Sequence, residues 1–320
     1  MDALGKFRIA YQIAIIAVLA MLGFAVTGAV YFSGAAREAA AQAAGDAAQQ
    51  RLRLAETVKF GFLNGRRHEK DFLLRQDEKY AESHKGEAKE VQAALVKLKG
   101  VADQPDLVDE VSAGFSQYES QFRALVEIWR KVGLTDESGL RGTLRKAVHE
   151  VEARVKVVDD PRLLAGMLTL RRHEKDFLLR LDAKYLQSLE SDAESFVKTL
   201  EGSALPAADK AQIGELLAAY RRDFRSMAEA RLKAVAEATR LSEVYAQAEP
   251  KLDRLAAAAI AQDEQASGQS VEMRSSVSTR ITATLIAVPL TVLALALLIG
   301  HGISGPIHQM TEVMGRLAHG

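Results

Sequence analysis

The decamer RRHEKDFLLR occupies Arg66 to Arg75 and returns unchanged at Arg171 to Arg180, 105 residues further along the chain. An internal repeat constrains the fold more tightly than composition does, because both copies must build the same local structure from the same residues. The likeness extends on both sides. Leu63 and Leu168 precede the copies, Asp77-Glu-Lys-Tyr80 is answered by Asp182-Ala-Lys-Tyr185, and Tyr118, Phe122 and Arg123 are answered by Tyr220, Phe224 and Arg225. The chain carries two related modules.

On a helix, at about 100° per residue, the decamer separates into faces. With Arg66 as origin, Phe62, Leu63, Leu73 and Leu74 fall within about 80° of it and Lys70 near 40°, while His68, Asp71 and Arg75 fall opposite. The second copy repeats this, with Met167, Leu168, Leu178 and Leu179 flanking Arg171 and Lys175. Cations on a core-facing stripe are costly unless an anion meets them. They can form internal salt bridges to Glu69 and Glu174, extend to the rim, or line an anion pocket between helices. The double occurrence favours the pocket. A carboxylate ligand then meets Arg66 with Lys70 in one module and Arg171 with Lys175 in the other, with Arg67 and Arg172 at the edges. Tyr118 and Tyr220 are candidates for a second wall, although Tyr118 with Phe122 and Tyr220 with Phe224 also read as packing pairs at i,i+4. On the pocket reading, Arg66→Ala and Arg171→Ala weaken binding and leave the fold at least as stable.

The rest of the sequence is helical in character. Ala, Leu, Glu, Lys, Arg and Gln dominate and only 6 prolines interrupt 320 residues. No stretch alternates with the period of two that a half-buried strand requires. Residues 9–32 and 281–303 are apolar runs long enough to cross a bilayer as helices. Lys6 and Arg8 favour a cytoplasmic N-terminus, residues 1–8. Between the spans, residues 33–280 break at 100–105, 133–139, 159–161 and 202–206. Those breaks predict helical tracts at about 35–99, 106–131, 140–158, 162–200, 207–235 and 238–280. The expected fold is all-α: two stacked four-helix bundles between two transmembrane helices.

After the second span, Ser304 offers a cap and Pro306 suits a first helical turn. Ile303, Ile307, Met310, Met314 and Leu317 then follow with coiled-coil spacing, ending at Leu317-Ala-His-Gly320. This stretch, residues 304–320, resembles the start of a HAMP linker. Together with the two spans and the helical region between them, the layout resembles the front half of a bacterial transmembrane chemoreceptor, a methyl-accepting protein with a helical bimodular sensor domain. The resemblance implies a multi-pass inner-membrane protein with a periplasmic sensor for small organic acids. It also implies a homodimer and output to signalling proteins through a cytoplasmic region.

Other chemistry finds little support. The net charge of zero gives no argument for nucleic acid. The chain has no cysteine, and its seven histidines lack metal-ligand spacing. Phe72 and Phe177 stand where a zinc-protease motif would place its second His, and no phosphate loop or nucleophile elbow occurs, so neither catalysis nor a cofactor is expected. His68 and His173 read as solvated, and Trp129 as core. Two alternatives to the chemoreceptor remain. One is the sensor of a histidine kinase or cyclase that reads a small ligand or a periplasmic binding protein. The other is a membrane stalk without a ligand.

Overall fold

The computed structural model describes the backbone of residues 9–318 and the side chains of residue 11 and of residues 13–299. Among the described residues there are seven α-helices and no strand: α1 (Ile9–Arg75), α2 (Glu78–Lys99), α3 (Pro105–Val132), α4 (Gly139–Val158), α5 (Pro161–Arg180), α6 (Lys184–Glu201) and α7 (Ala207–Ala318). Pro105 and Pro161 open their helices, where a missing N–H costs nothing, and Asp160 accepts from the backbone N–H of Arg162.

The long tracts 35–99 and 162–200 are each divided once, at places without Gly or Pro. Gln76 and Leu181 adopt left-handed conformations, at φ 52°, and each donates its N–H back to Phe72 or Phe177 at 2.7 Å. One residue later Asp77 and Asp182 accept from the backbone N–H groups of Lys79 and Lys184. The repeat thus encodes a complete helix stop and restart. At the other end of the molecule the expected breaks are missing. The tracts 207–235 and 238–280 are one helix, which runs on through Pro250, Pro289 and Pro306. Each proline removes one hydrogen bond from a helix of 112 residues, and propagation on either side absorbs it. Ser304 and Pro306 therefore do not start a new helix. The seam of side chains proposed for residues 304–320 lies outside the described residues, as does the N-terminal segment 1–8.

The chain forms two units. One comprises residues 1–52 and 258–320, whose described part is the first portion of α1 and the last of α7. These run antiparallel and approach closely at glycines: a Cβ on Gly23 would lie 2.5 Å from Val288, and one on Gly34 would lie 2.8 Å from Val277. Both helices hold a stretch apolar and long enough to cross a membrane, and those stretches are bare, with Phe24, Phe32 and Leu297 all exposed.

The other unit, residues 53–257, holds two four-helix bundles. The first module packs α1, α2, α3 and the adjoining part of α7. Phe62 touches Phe115, Tyr118 and Tyr245, and His84 lies against Phe122. The second packs α4, α5, α6 and the start of α7 around Leu163, Met167, Phe177, Phe196, Tyr220 and Phe224. The repeat governs this packing beyond the decamer. Gly61 faces Val91 and, 105 positions on, Gly166 faces Phe196, so in both modules a missing Cβ lets the next helix come close. Gly133 (φ 106°) and Gly139 (φ 56°) shape the turn that carries the chain from the first module to the second; a side chain at Gly133 would strike the Ser138 carbonyl.

Candidate functional site

The core stripe of α1 passes through Ala55, Val58, Phe62, Gly65, Glu69 and Phe72, at spacings of three and four. Its centre is therefore Glu69 and not Arg66. Leu63 and Leu74, which the helical wheel places inside, are exposed, and Leu168 and Leu179 repeat this in α5. The apolar residues of this stretch misdirect the wheel because Leu63 and Leu74 face water while a carboxylate takes the core position. The histidines shift with the stripe. His68 is half-buried, and His173 is largely covered and meets Asp192 at 2.7 Å through Nε2.

Glu69 is fully buried, and every contact around it serves its charge. Arg66 donates through Nη1 at 2.5–2.6 Å, Tyr118 donates its hydroxyl at 2.9 Å, and Lys70 Nζ lies at 3.1 Å. Glu174, 3 % exposed, has the same set: Arg171 Nη1, the Tyr220 hydroxyl at 3.0 Å, and Lys175 Nζ at 3.4 Å. Burial and the adjacent carboxylate push both tyrosine hydroxyls far above their usual range, so they stay protonated donors. In each module the structure thus brings together the arginine, lysine and tyrosine singled out by sequence. The carboxylate at their centre is the protein's own. Arg67 and Arg172 are exposed and lie outside both clusters. Removing Arg66 or Arg171 would leave a buried carboxylate short of a partner, which reverses the expectation that such variants keep their stability.

The two arginines differ in their remaining contacts. Arg66 donates from Nη2 to Ser242 Oγ at 3.2 Å and lies 4.6 Å from the centre of the Tyr245 ring. Arg171 instead reaches Glu152 of α4 at 3.1 Å through Nε. Beside it a cavity of about 500 Å³ opens, within the range of small-molecule sites. Arg171, Lys175 and Glu174 line one side. Arg141, Arg145 and His149 of α4, Arg231 of α7 and Asp136 complete it, with Leu144, Leu178 and Met227 as its apolar part. Arg141, Arg145 and His149 follow one another at intervals of four, a row on one helix face that spacing alone would have revealed.

Arg141 and Arg231 also belong to the junction between the modules. Arg141 donates to the Gln76 side chain at 3.0 Å and lies 3.5 Å from Asp136. Arg231 stacks 4.7 Å from the centre of the Trp129 ring, and its Nε is buried without a hydrogen-bond partner. Burial, with the nearby Arg141 charge, lowers its proton affinity.

A second groove, about 750 Å³, lies between α2 and α3 over Ala81, His84, Val96, Phe122 and Val126. Its rims carry Lys85, Lys89, Lys97, Arg123 and Arg130 against Glu82, Glu119 and Glu127, with Arg123 paired to Glu119 and Arg130 to Glu78 and Glu127, and no decamer residue lines it. No group of metal-binding side chains occurs among the described residues. No protein-family model matches the chain, and no curated protein matches it in sequence.

Proposed function

We propose that this chain is the sensing and membrane-anchoring portion of a bacterial chemoreceptor, in the inner membrane, with residues 33–280 in the periplasm. It acts without catalysis. A small organic acid enters the second module as ligand, a homodimer is the working unit, and the second span carries the change to cytoplasmic signalling proteins. The observation that carries this reading is the cavity of about 500 Å³ beside Arg171, where five Arg and Lys side chains converge around an apolar patch. The two exposed apolar stretches, one in α1 and one in α7, supply the anchor. A shift of one or two ångströms in α7 is enough for signalling, since packed helices switch between discrete arrangements.

The stalk reading applies to the first module. There the position expected for a ligand carboxylate is filled by Glu69, and Tyr245 and Ser242 take the other contacts of Arg66. Calorimetry of the full chain in detergent against a panel of mono-, di- and tricarboxylates tests the proposal. Saturable binding of at least one acid is expected. Absence of heat across the panel would overturn the organic-acid reading.

A further inference from the structure

We infer that the anion is gripped by residues outside the repeat, Arg141, Arg145 and Arg231, and that the cavity at the module junction takes a compact multivalent oxyanion. This rests on the second module being the ligand-binding one. The decamer's own cations are committed there: Arg171 holds Glu174 and Glu152, and Lys175 leans on Glu174. Arg145 makes no ion pair among the described residues, and Arg231 has only the Trp129 ring. Arg141 has one carboxylate, Asp136, at 3.5 Å.

Taken over the lining, five Arg and Lys side chains (Arg141, Arg145, Arg171, Lys175 and Arg231) face two carboxylates (Asp136 and Glu174). Adding Glu152, bonded to Arg171, still leaves two positive charges unmatched. A monoanion answers only part of that excess. An anion carrying two or three charges answers it and gives the buried Nε of Arg231 the acceptor it lacks. The apolar patch of Leu144, Leu178 and Met227 accommodates a short carbon skeleton, while the arginines would serve an inorganic oxyanion equally well.

The same two arginines connect the ligand to the first module. Arg141 holds Gln76, the left-handed residue that ends α1, and Arg231 lies on Trp129 at the end of α3. Drawing either guanidinium into the cavity alters a contact to a helix of the first module. Trp129 is the only tryptophan in the chain, so its fluorescence reports on Arg231 directly.

The test is a Trp129 fluorescence titration, paired with calorimetry, of the full chain in a nonionic detergent at constant ionic strength. The probes are citrate, succinate, acetate and pyrophosphate. Citrate is expected to change the emission saturably and to bind at least tenfold more tightly than acetate, with succinate between them. Arg145→Gln and Arg231→Gln should each weaken citrate about ten- to a hundredfold, as loss of a charge-assisted bond implies. Arg231→Lys should recover part of the loss. Lys146→Gln, on the same helix and highly exposed, should bind like the parent. Melting curves of each variant exclude misfolding as the cause. Equal affinity for acetate and citrate, or parental binding by Arg145→Gln and Arg231→Gln, overturns the inference and leaves an acid sensor standing. Binding of pyrophosphate with no carboxylate bound supports the multivalent site and removes the organic-acid reading. Silence with every probe overturns both.

Discussion

The two modules contain the same ten residues and use them for the same structural purpose, yet their surroundings diverge. In the first, Arg66 packs against Tyr245 and Ser242, and the rings of Phe62, Tyr118 and Tyr245 fill the space around it. In the second, the neighbour of Arg171 is α4, whose arginines stand back across a cavity. The repeat specifies a scaffold: a buried glutamate held by an arginine, a lysine and a tyrosine, followed by a left-handed stop. On the proposed reading, what the module binds is decided by the helix packed beside it. Duplication of a sequence has preserved the architecture and left the chemistry to residues that were not duplicated.

The comparison can be broken first at the buried carboxylates. Glu69→Ala should destabilise the first module by about 3–5 kcal/mol, because Arg66, partly buried, then loses its only carboxylate partner among the described residues. Glu174→Ala should cost less, since Arg171 keeps Glu152. Urea unfolding of the two variants measures both, and equal losses would mean that α4 contributes nothing to holding Arg171.

A second difference is His84. It is 2 % exposed, packed on Phe122 and Tyr118, and its Nε2 has no hydrogen-bond partner; Leu189 holds the corresponding place 105 residues on. Burial, with a smaller contribution from His68, pushes its pKa down from 6.5 to about 4. The unfolded chain therefore takes up a proton at this residue below about pH 6.5, whereas the folded chain does so only near 4. The first module should lose stability as pH falls through that window, by up to about 3 kcal/mol. His84→Leu should abolish this residue's share of the pH dependence, and an unchanged slope of stability against pH would contradict it.

The smallest expected effect sharpens the structural half of the comparison. Gly61→Ala sets a Cβ 2.4 Å from a methyl group of Val91, a stiff β-branched side chain, and should cost about 1–3 kcal/mol. Gly166→Ala sets one 2.8 Å from the Phe196 ring edge and should cost less. Thermal melts of the two variants in parallel give the ranking.

Much of this was legible in the chain. The repeat, the apolar runs, the prolines at the starts of α3 and α5, and the glycine turn at 133–139 are local signals, and local signals survive without knowledge of neighbours. The decamer's inner face was not legible, because Leu63 and Leu74 outweigh one glutamate on any hydrophobic wheel. The Tyr118 hydroxyl, 49 residues away in sequence, joins Arg66 and Lys70 in making that glutamate tolerable inside. The stops at Gln76 and Leu181 were hidden for a related reason: neither residue is one that favours a left-handed backbone, so the signal lay in the aspartates that follow. The cavity depends on α4 and α7 meeting beside α5, a fact of topology that spacing within one helix does not contain.

The central claim, that one repeated motif serves two scaffolds and only one binding site, is tested most directly by stoichiometry. Calorimetry of the full chain with citrate should give one anion per chain, and the double variant Arg145→Gln, Arg231→Gln should give none. Two equivalent anions per chain, or one retained in the double variant, would return the binding role to the decamers and contradict the account.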